Sequence, residues 1–359
     1  MLGAITGDIA GSRFERNNIK TTDFELLNKR CSFTDDSVLT VAVADALMKI
    51  KNKGLDHDRA YKVMEDSIRT WALKYPHAGY GGRFIIWMHY GIGPYSSYGN
   101  GAPMRCSSAG WLAESEDEAK YLARISAEVT HNHPEGIKAA EVTAVCIYKA
   151  LHGESKEGIL KYAGGYYEIP DADELRKTYT FDVSSMGTMP AVFSAFKAGN
   201  NFEEVIRIAI SLGGDSDTIG AIAGSIAEAY YEIPEEIKKQ AKEYLTDDIR
   251  DVVERFYEKK EVKRLSSHDN IGNDFYYELF KKVTEGRATE EEKRQLQFFY
   301  KINTHVDYER MFEIRYITKG DMSKKRLEQM GKMLCVYAAG RIIPMSRKVY
   351  TYLKKGMKI

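Results

Sequence analysis

A chain of 359 residues with 43% apolar and 29% charged side chains has the composition of a folded protein, large enough for one big domain or two ordinary ones. Its 52 basic and 52 acidic residues cancel, so no global field draws it to nucleic acid, and no apolar run nears the roughly 18 residues of a membrane span. Cys31, Cys106, Cys146 and Cys335 lie far apart with no CxxC spacing, which argues against a disulfide scaffold, a zinc site or a c-type haem and fits a reducing cytoplasm.

The first segment, MLGAITGDIAGSRFER, lacks a basic leader and meets an acid at Asp8, so a secretion signal is not expected. Phe33-Thr34-Asp35-Asp36-Ser37 then introduces a run of helical spacing from Ser37 to Ile50, and a second run spans His57 to Ala72. Ile85-Ile86-Trp87-Met88 is the best β-type stretch, too short to organise a sheet. Beyond the Gly-rich Tyr98-Gly99-Asn100-Gly101-Ala-Pro-Met104-Arg105, helical periodicity returns over Glu116–Val129, Ile137–Leu151, Val183–Ala198 and Phe202–Ser211. Gly213-Gly214-Asp215-Ser216-Asp217-Thr218 leads into a helix in which Ile219, Ile222, Ala223, Ile226 and Ala227 share one face. The frequent alanine and glycine on these faces let helices approach closely. The expected fold is all-α, an orthogonal multi-helix bundle.

Near KEVKRLSSHDNIGND the composition shifts. Residues 1–265 carry a net charge of −7 and residues 266–359 carry +7, with aromatics from Phe275 to Tyr316. The expected division is a domain over 1–262 and a basic, aromatic-rich helical extension over 263–359. The extension holds a capping-box pattern at Thr289–Glu292 and helical spacing over Lys324–Tyr337. Its aromatics suit either a small core docked on the acidic domain or a recognition module for a macromolecule.

Two helix starts each offer two carboxylates and a hydroxyl. One reading is N-capping, in which an oxygen accepts free N–H groups at the positive end of the helix dipole. The other is convergence on one cleft, where four carboxylates would repel unless hard divalent cations join them; oxygen-only ligands select magnesium, manganese or calcium over zinc. The GNG segment reads either as a tight turn of positive-φ glycines or as a backbone surface open to phosphate or ribose. In Thr130-His131-Asn132-His133-Pro134, His131 reads as a ligand-contacting or capping residue rather than half of a metal pair. His57, His77 and His89 are isolated.

Together, GD-x-x-G-x-x-x-E, TDDS, GNG-x-x-MR, a histidine ahead of a helix, and LGGDSDT-x-G-x-x-x-G resemble, in this order, the ADP-ribosylglycohydrolase family over residues 1 to about 250. The resemblance implies an all-α fold with a dinuclear magnesium site, in which manganese can substitute, that hydrolyses the bond joining ADP-ribose to a modified side chain. It implies metal ligands Thr34, Asp35, Asp36, Asp215, Asp217 and Thr218, and catalytic roles for Asp36, Asp217 and Glu15. Ser97, Tyr98, Gly99, Asn100 and Gly101 would hold the diphosphate and proximal ribose, with His131 near the distal ribose or pyrophosphate. Two departures, Ser37 after TDD and Ala102-Pro103 before Met104, remove no functional group. An ADP-ribosylated protein is the implied partner, with arginine the first acceptor; serine, a nucleic-acid base and O-acyl-ADP-ribose stay open. So does a non-catalytic ADP-ribose binder, although such a relative is expected to lose metal carboxylates, and an antitoxin-type enzyme whose extension recognises a partner.

Overall fold

The amino-terminal helix α1 (Leu2–Gly11) is buried along its whole length. Such a helix needs neighbours on every side, and the rest of the fold supplies them. In the computed structural model, which describes residues 1–258 and Thr289, the chain continues through α2 (Asp35–Lys53), α3 (His57–Lys74) and α4 (Gly82–Tyr90). The short α5 (Gly101–Arg105) and α6 (Ser107–Leu112) follow, then α7 (Glu116–Glu128) and α8 (Pro134–Leu151). After α9 (Lys156–Gly164) and α10 (Ala172–Thr178) come α11 (Ser185–Ala198), α12 (Phe202–Ser211), α13 (Ser216–Tyr231) and α14 (Glu235–Glu243). A final helix, α15, covers 247–258.

The sequence starts these helices in the ordinary way. Thr34, Asp56, Ser115, His133, Ser155, Asp171, Ser184 and Asn201 each accept a backbone N–H of the first turn they precede. Among the described residues there is no strand, only an isolated bridge between Gly99 and Ser184. The all-α bundle expected from periodicity is the fold. The β-type reading of Ile85–Met88 is overturned, because these residues lie inside α4. There Phe84, Trp87 and Met88 are buried while Ile85 and Ile86 are exposed, which is the three-then-four spacing of a helix face.

The centre of the bundle is the crossing of α1 and α13, closer than ordinary side chains permit. A Cβ on Gly7 would lie 2.0 Å from the carbonyl oxygen of Gly220, and one on Gly3 2.3 Å from that of Gly224. Gly11 meets the backbone of Ser216 and Asp217 in the same way. Three glycines at intervals of four residues thus let α1 lie backbone to backbone on α13. The far end of the crossing is fastened at Glu228, which accepts the Met1 ammonium at 2.6 Å and the Gly3 N–H at 2.8 Å. Tyr257 of α15 donates to the same carboxylate and accepts the Leu2 N–H at 2.9 Å.

Around this pair, α2 packs on α3, α7 on α8 and α12 on α13. Cys31, Cys106 and Cys146 are free and buried. No helix among the described residues is long and apolar enough to cross a membrane. Met1–Lys260 forms one compact unit. The boundary near 262, the pattern at Thr289–Glu292, the helical spacing over Lys324–Tyr337, Cys335 and the aromatic series of 263–359 lie outside the described residues, Thr289 itself excepted.

Candidate metal and substrate site

Because α1 and α13 touch through backbone at Gly11, the carboxylates of Asp8 and Asp217 approach each other at the crossing. The start of α2 closes the group: ligand oxygens of Asp8, Asp36 and Asp217 all lie within 4.8 Å of one another. The two acid-bearing helix starts therefore meet, and the Thr218 hydroxyl donates across them to Asp36 at 3.2 Å.

Asp8 is the residue that reading the sequence left out of the site. It belongs to α1, yet its carboxylate organises the start of α2. One oxygen accepts the Thr34 hydroxyl at 2.7 Å; the other accepts the backbone N–H groups of Thr34 and Ser37 at 2.9 and 3.0 Å, and the Ser37 hydroxyl. The hydroxyl kept at Ser37 thus serves Asp8. The available signal was an acid alone in LGAITGDIAG, an otherwise uncharged helix that is buried throughout.

Capping accounts for part of the pattern only. Thr34 caps α2 through Asp36 N–H, but Asp215, at the N-cap of α13, caps nothing. Its carboxylate instead accepts the Asn100 amide at 2.7 Å, and that amide also reaches the Thr188 hydroxyl at 3.1 Å. Glu15 lies on the loop after α1, half-buried and close enough to Asp215 to feel its charge.

The electrostatics are those of crowded acids. Burial pushes Asp8 up to about 6 against the pull of its hydrogen bonds. Burial, followed by the charges of Asp8, Asp215 and Glu15, pushes Asp35 up to about 8. Asp36 and Asp217 rise well above the ordinary carboxylate range, through burial first and then through neighbouring aspartates. Two unit charges 4 Å apart repel by about 4 kcal/mol at an effective dielectric of 20, so this cluster is costly when fully ionised. A divalent cation fits it on two counts. Every donor is a hard oxygen, and Asp36 Oδ1 is buried with no hydrogen-bond partner among the described residues, an orphaned acceptor that a cation satisfies.

A pH dependence follows. Asp8 and Asp35 bind protons more tightly folded than unfolded, so their contribution to stability is present below about pH 4 and lost as pH climbs through 6 and 8. A cation removes that loss. The rise in melting temperature on adding magnesium to EDTA-treated protein is therefore expected to be larger at pH 8 than at pH 5. Equal rises at the two pH values would mean that the carboxylates do not hold the ion.

The loop Ser97–Gly101 lies beside this cluster through Asn100. Gly99 N–H donates to the Ser97 hydroxyl at 3.2 Å, Ser185 holds the Gly99 carbonyl at 2.9 Å, and Tyr98 is exposed. Gly99 and Gly101 do not have the positive φ of the tight-turn reading. Gly101 is small because His131 is packed against it, an added Cβ lying 3.0 Å from the ring; at Gly99 the nearest atom to a Cβ would be the Ser97 hydroxyl oxygen, at 3.2 Å. Positive φ occurs instead at Gly213 and Gly214, where Asn18 grips both backbone groups of Gly214. His131 does not cap α8; His133 does, at 3.1 Å from Glu135 N–H.

Aspartates and threonines from two helix starts thus converge in one buried, all-oxygen donor set that suits a hard cation. The family profile for ADP-ribosylglycohydrolase matches residues 1–266, and the chain belongs to that family of glycosidic-bond hydrolases. It is similar to ADP-ribosylhydrolase ARH3 of Homo sapiens, 24% identical over 336 residues, covering 69% of this chain and 90% of that one. It is also similar to ADP-ribosylarginine hydrolase Tri1 of Pseudomonas putida, 28% identical over 178 residues, 43% of this chain and 47% of that one. A solved ADP-ribosylglycohydrolase-related protein complex aligns with a TM-score of 0.49 and 27% identity, over 67% of this chain and 94% of that one.

Proposed function

We propose that this protein hydrolyses the bond between C1″ of ADP-ribose and a modified side chain of a protein, arginine being the first acceptor, with two magnesium ions at the aspartate cluster. The observation that carries the reading is the convergence of Asp8, Asp36 and Asp217 around an acceptor left unsatisfied at Asp36 Oδ1. Thr34, Asp35, Asp36, Asp215, Asp217 and Thr218 would hold the ions. The cations, when bound, supply Lewis-acid polarisation and favour hydroxide over water at neutral pH.

The chain's own residues divide the remaining work. Asp8 fixes the start of α2, so Thr34 and Asp36 keep their aim. Asn100 does the same for Asp215. The oxygen of water forms the new bond to C1″ as the bond to the acceptor breaks. Asp36 or Asp217 takes the proton from water, and the departing nitrogen or oxygen is protonated. Glu15, half-buried and beside Asp215, suits a group that contacts substrate; general acid–base help of the kind Asp36 or Asp217 would give contributes about 10²–10⁴-fold. Ser97, Tyr98, Gly99, Asn100, Gly101 and His131 form the surface assigned to the diphosphate and riboses.

Arginine is favoured because a similar protein is named an ADP-ribosylarginine hydrolase. The test is mass spectrometry of ADP-ribose released from defined arginine- and serine-linked peptides, with and without magnesium. Release from the arginine peptide only, and only with the ion, is expected; no release from either defeats the reading. Asn100→Ala is expected to raise the magnesium concentration needed for half-maximal activity by about 10–100-fold, the usual cost of losing a group that orients a ligand. An unchanged requirement would release Asn100 from that role.

A further inference from the structure

Asn18 lies on the loop after α1, and every polar atom of its side chain is in use. Nδ2 donates to the carbonyls of Phe14 at 2.7 Å, Glu15 at 3.0 Å and Gly214 at 2.9 Å, while Oδ1 accepts the Gly214 N–H at 2.8 Å. An amide has two protons to give, so one of them is shared between two carbonyls. A single side chain thus folds its own loop back on itself and holds both backbone groups of a residue 196 positions away.

Both ends of this grip adjoin the site. Glu15 is one of the two loop residues held, and Gly214 is followed directly by Asp215. Gly213 and Gly214, with φ of +73° and +71°, turn the chain just ahead of α13. Asp215 caps no N–H of that helix, so its aim comes from this turn and from Asn100. We propose that Asn18 is a positioning residue, a clip that sets the substrate-side acid Glu15 and the metal-side acid Asp215 in register. Its consequence for catalysis rests on the function proposed above; the clip itself does not.

Two observations support a clip rather than general packing. Asn18 is exposed, so it fills no core and its place in the fold is set by its hydrogen bonds. The turn is also held from elsewhere: a Cβ on Gly214 would lie 2.6 Å from the Tyr179 ring, and Lys20 Nζ donates to the carbonyls of Leu212 and Tyr179. Lys20 therefore fastens the entry of the same turn without a hydrogen bond to Glu15 or Gly214 among the described residues, which makes it the control.

The experiment uses the full chain labelled with ¹⁵N-glycine, as wild type, Asn18→Ala, Asn18→Asp and Lys20→Met. The Gly214 N–H is expected to exchange slowly in wild type and at least about tenfold faster in Asn18→Ala, with Gly7 and Gly220 unchanged. Calorimetric titration should show Asn18→Ala binding magnesium about tenfold more weakly, the usual scale for losing a group that orients a ligand, and Lys20→Met close to wild type. Asn18→Asp keeps an oxygen for the Gly214 N–H but gives up every donation to the three carbonyls. Its Gly214 amide should stay protected, and its added negative charge does not repel a cation, yet kcat should fall about tenfold. Unchanged exchange at Gly214 in Asn18→Ala, equal magnesium losses in Asn18→Ala and Lys20→Met, or full turnover by Asn18→Asp overturns the proposal. Faster Gly214 exchange in Asn18→Ala, alongside a wild type that binds no magnesium, overturns the proposed function and leaves the clip standing.

Discussion

Asp36→Asn is expected to lower kcat by at least about 10³-fold while making the metal-free protein more stable. The two effects have one cause. Asp36 lies among Asp8, Asp35 and Asp215, whose charges, after burial, are what raise its carboxyl. An amide of the same shape removes one member of that repulsive group, which is worth about 1–2 kcal/mol to the metal-free fold, or about 3–6 °C in melting temperature. The same change removes an ionised ligand and a proton acceptor. EDTA should therefore abolish hydrolysis by wild type, magnesium or manganese should restore it, and neither ion should rescue Asp36→Asn. If the acids only capped helices, chelation would leave turnover untouched and the substitution would cost about 1 kcal/mol with or without metal. Full turnover in a metal-free preparation sinks the metal-dependent reading.

Gly7→Ala is the second large effect, because one methyl group there has nowhere to go. It would arrive 2.0 Å from the Gly220 oxygen, and the obstruction is backbone, so no side chain can swing aside. Separating α1 from α13 by even part of an ångström unpacks two helices buried along most of their length and moves Asp8 away from Asp217. A loss of about 3 kcal/mol or more is expected, at the upper end for overpacking. The stabilisation by magnesium should shrink with it. Gly82→Ala is the control: it lies in the first turn of α4 with nothing within 4 Å of an added Cβ, and should be neutral or slightly stabilising. Denaturant midpoints for the two variants, with and without magnesium, decide the matter. Equal midpoints would show that the seam yields.

Much of this was legible in the chain because the signals are local. Two acids with a threonine ahead of an apolar period read as a helix start, and α2 and α13 begin where those patterns lie. What stayed hidden depends on contacts between distant segments. Asp8 reads as one charge in a small-residue helix, and nothing in its neighbours says that Thr34 and Ser37 will donate to it. The glycine at 101 suggests a turn until His131 is seen against it. Ile85–Met88 fits two periods equally well at four residues, and only the burial of Trp87 and Met88 against the exposure of Ile86 selects the helix. His133 rather than His131 caps α8 because the proline at 134 fixes the first helical residue, a cue present in the sequence.

The crossing of α1 and α13 also orders events in time. Gly3 and Glu228, which it joins, are 225 residues apart, and Asp8 and Asp217 are 209 apart. During synthesis α1, apolar but for Thr6 and Asp8, must wait for its partner helix until nearly the whole domain has emerged. Closure over so long a loop is intrinsically slow. The acid cluster is accordingly among the last features to form, and a growing chain offers a divalent cation no complete set of ligands before the thirteenth helix has docked.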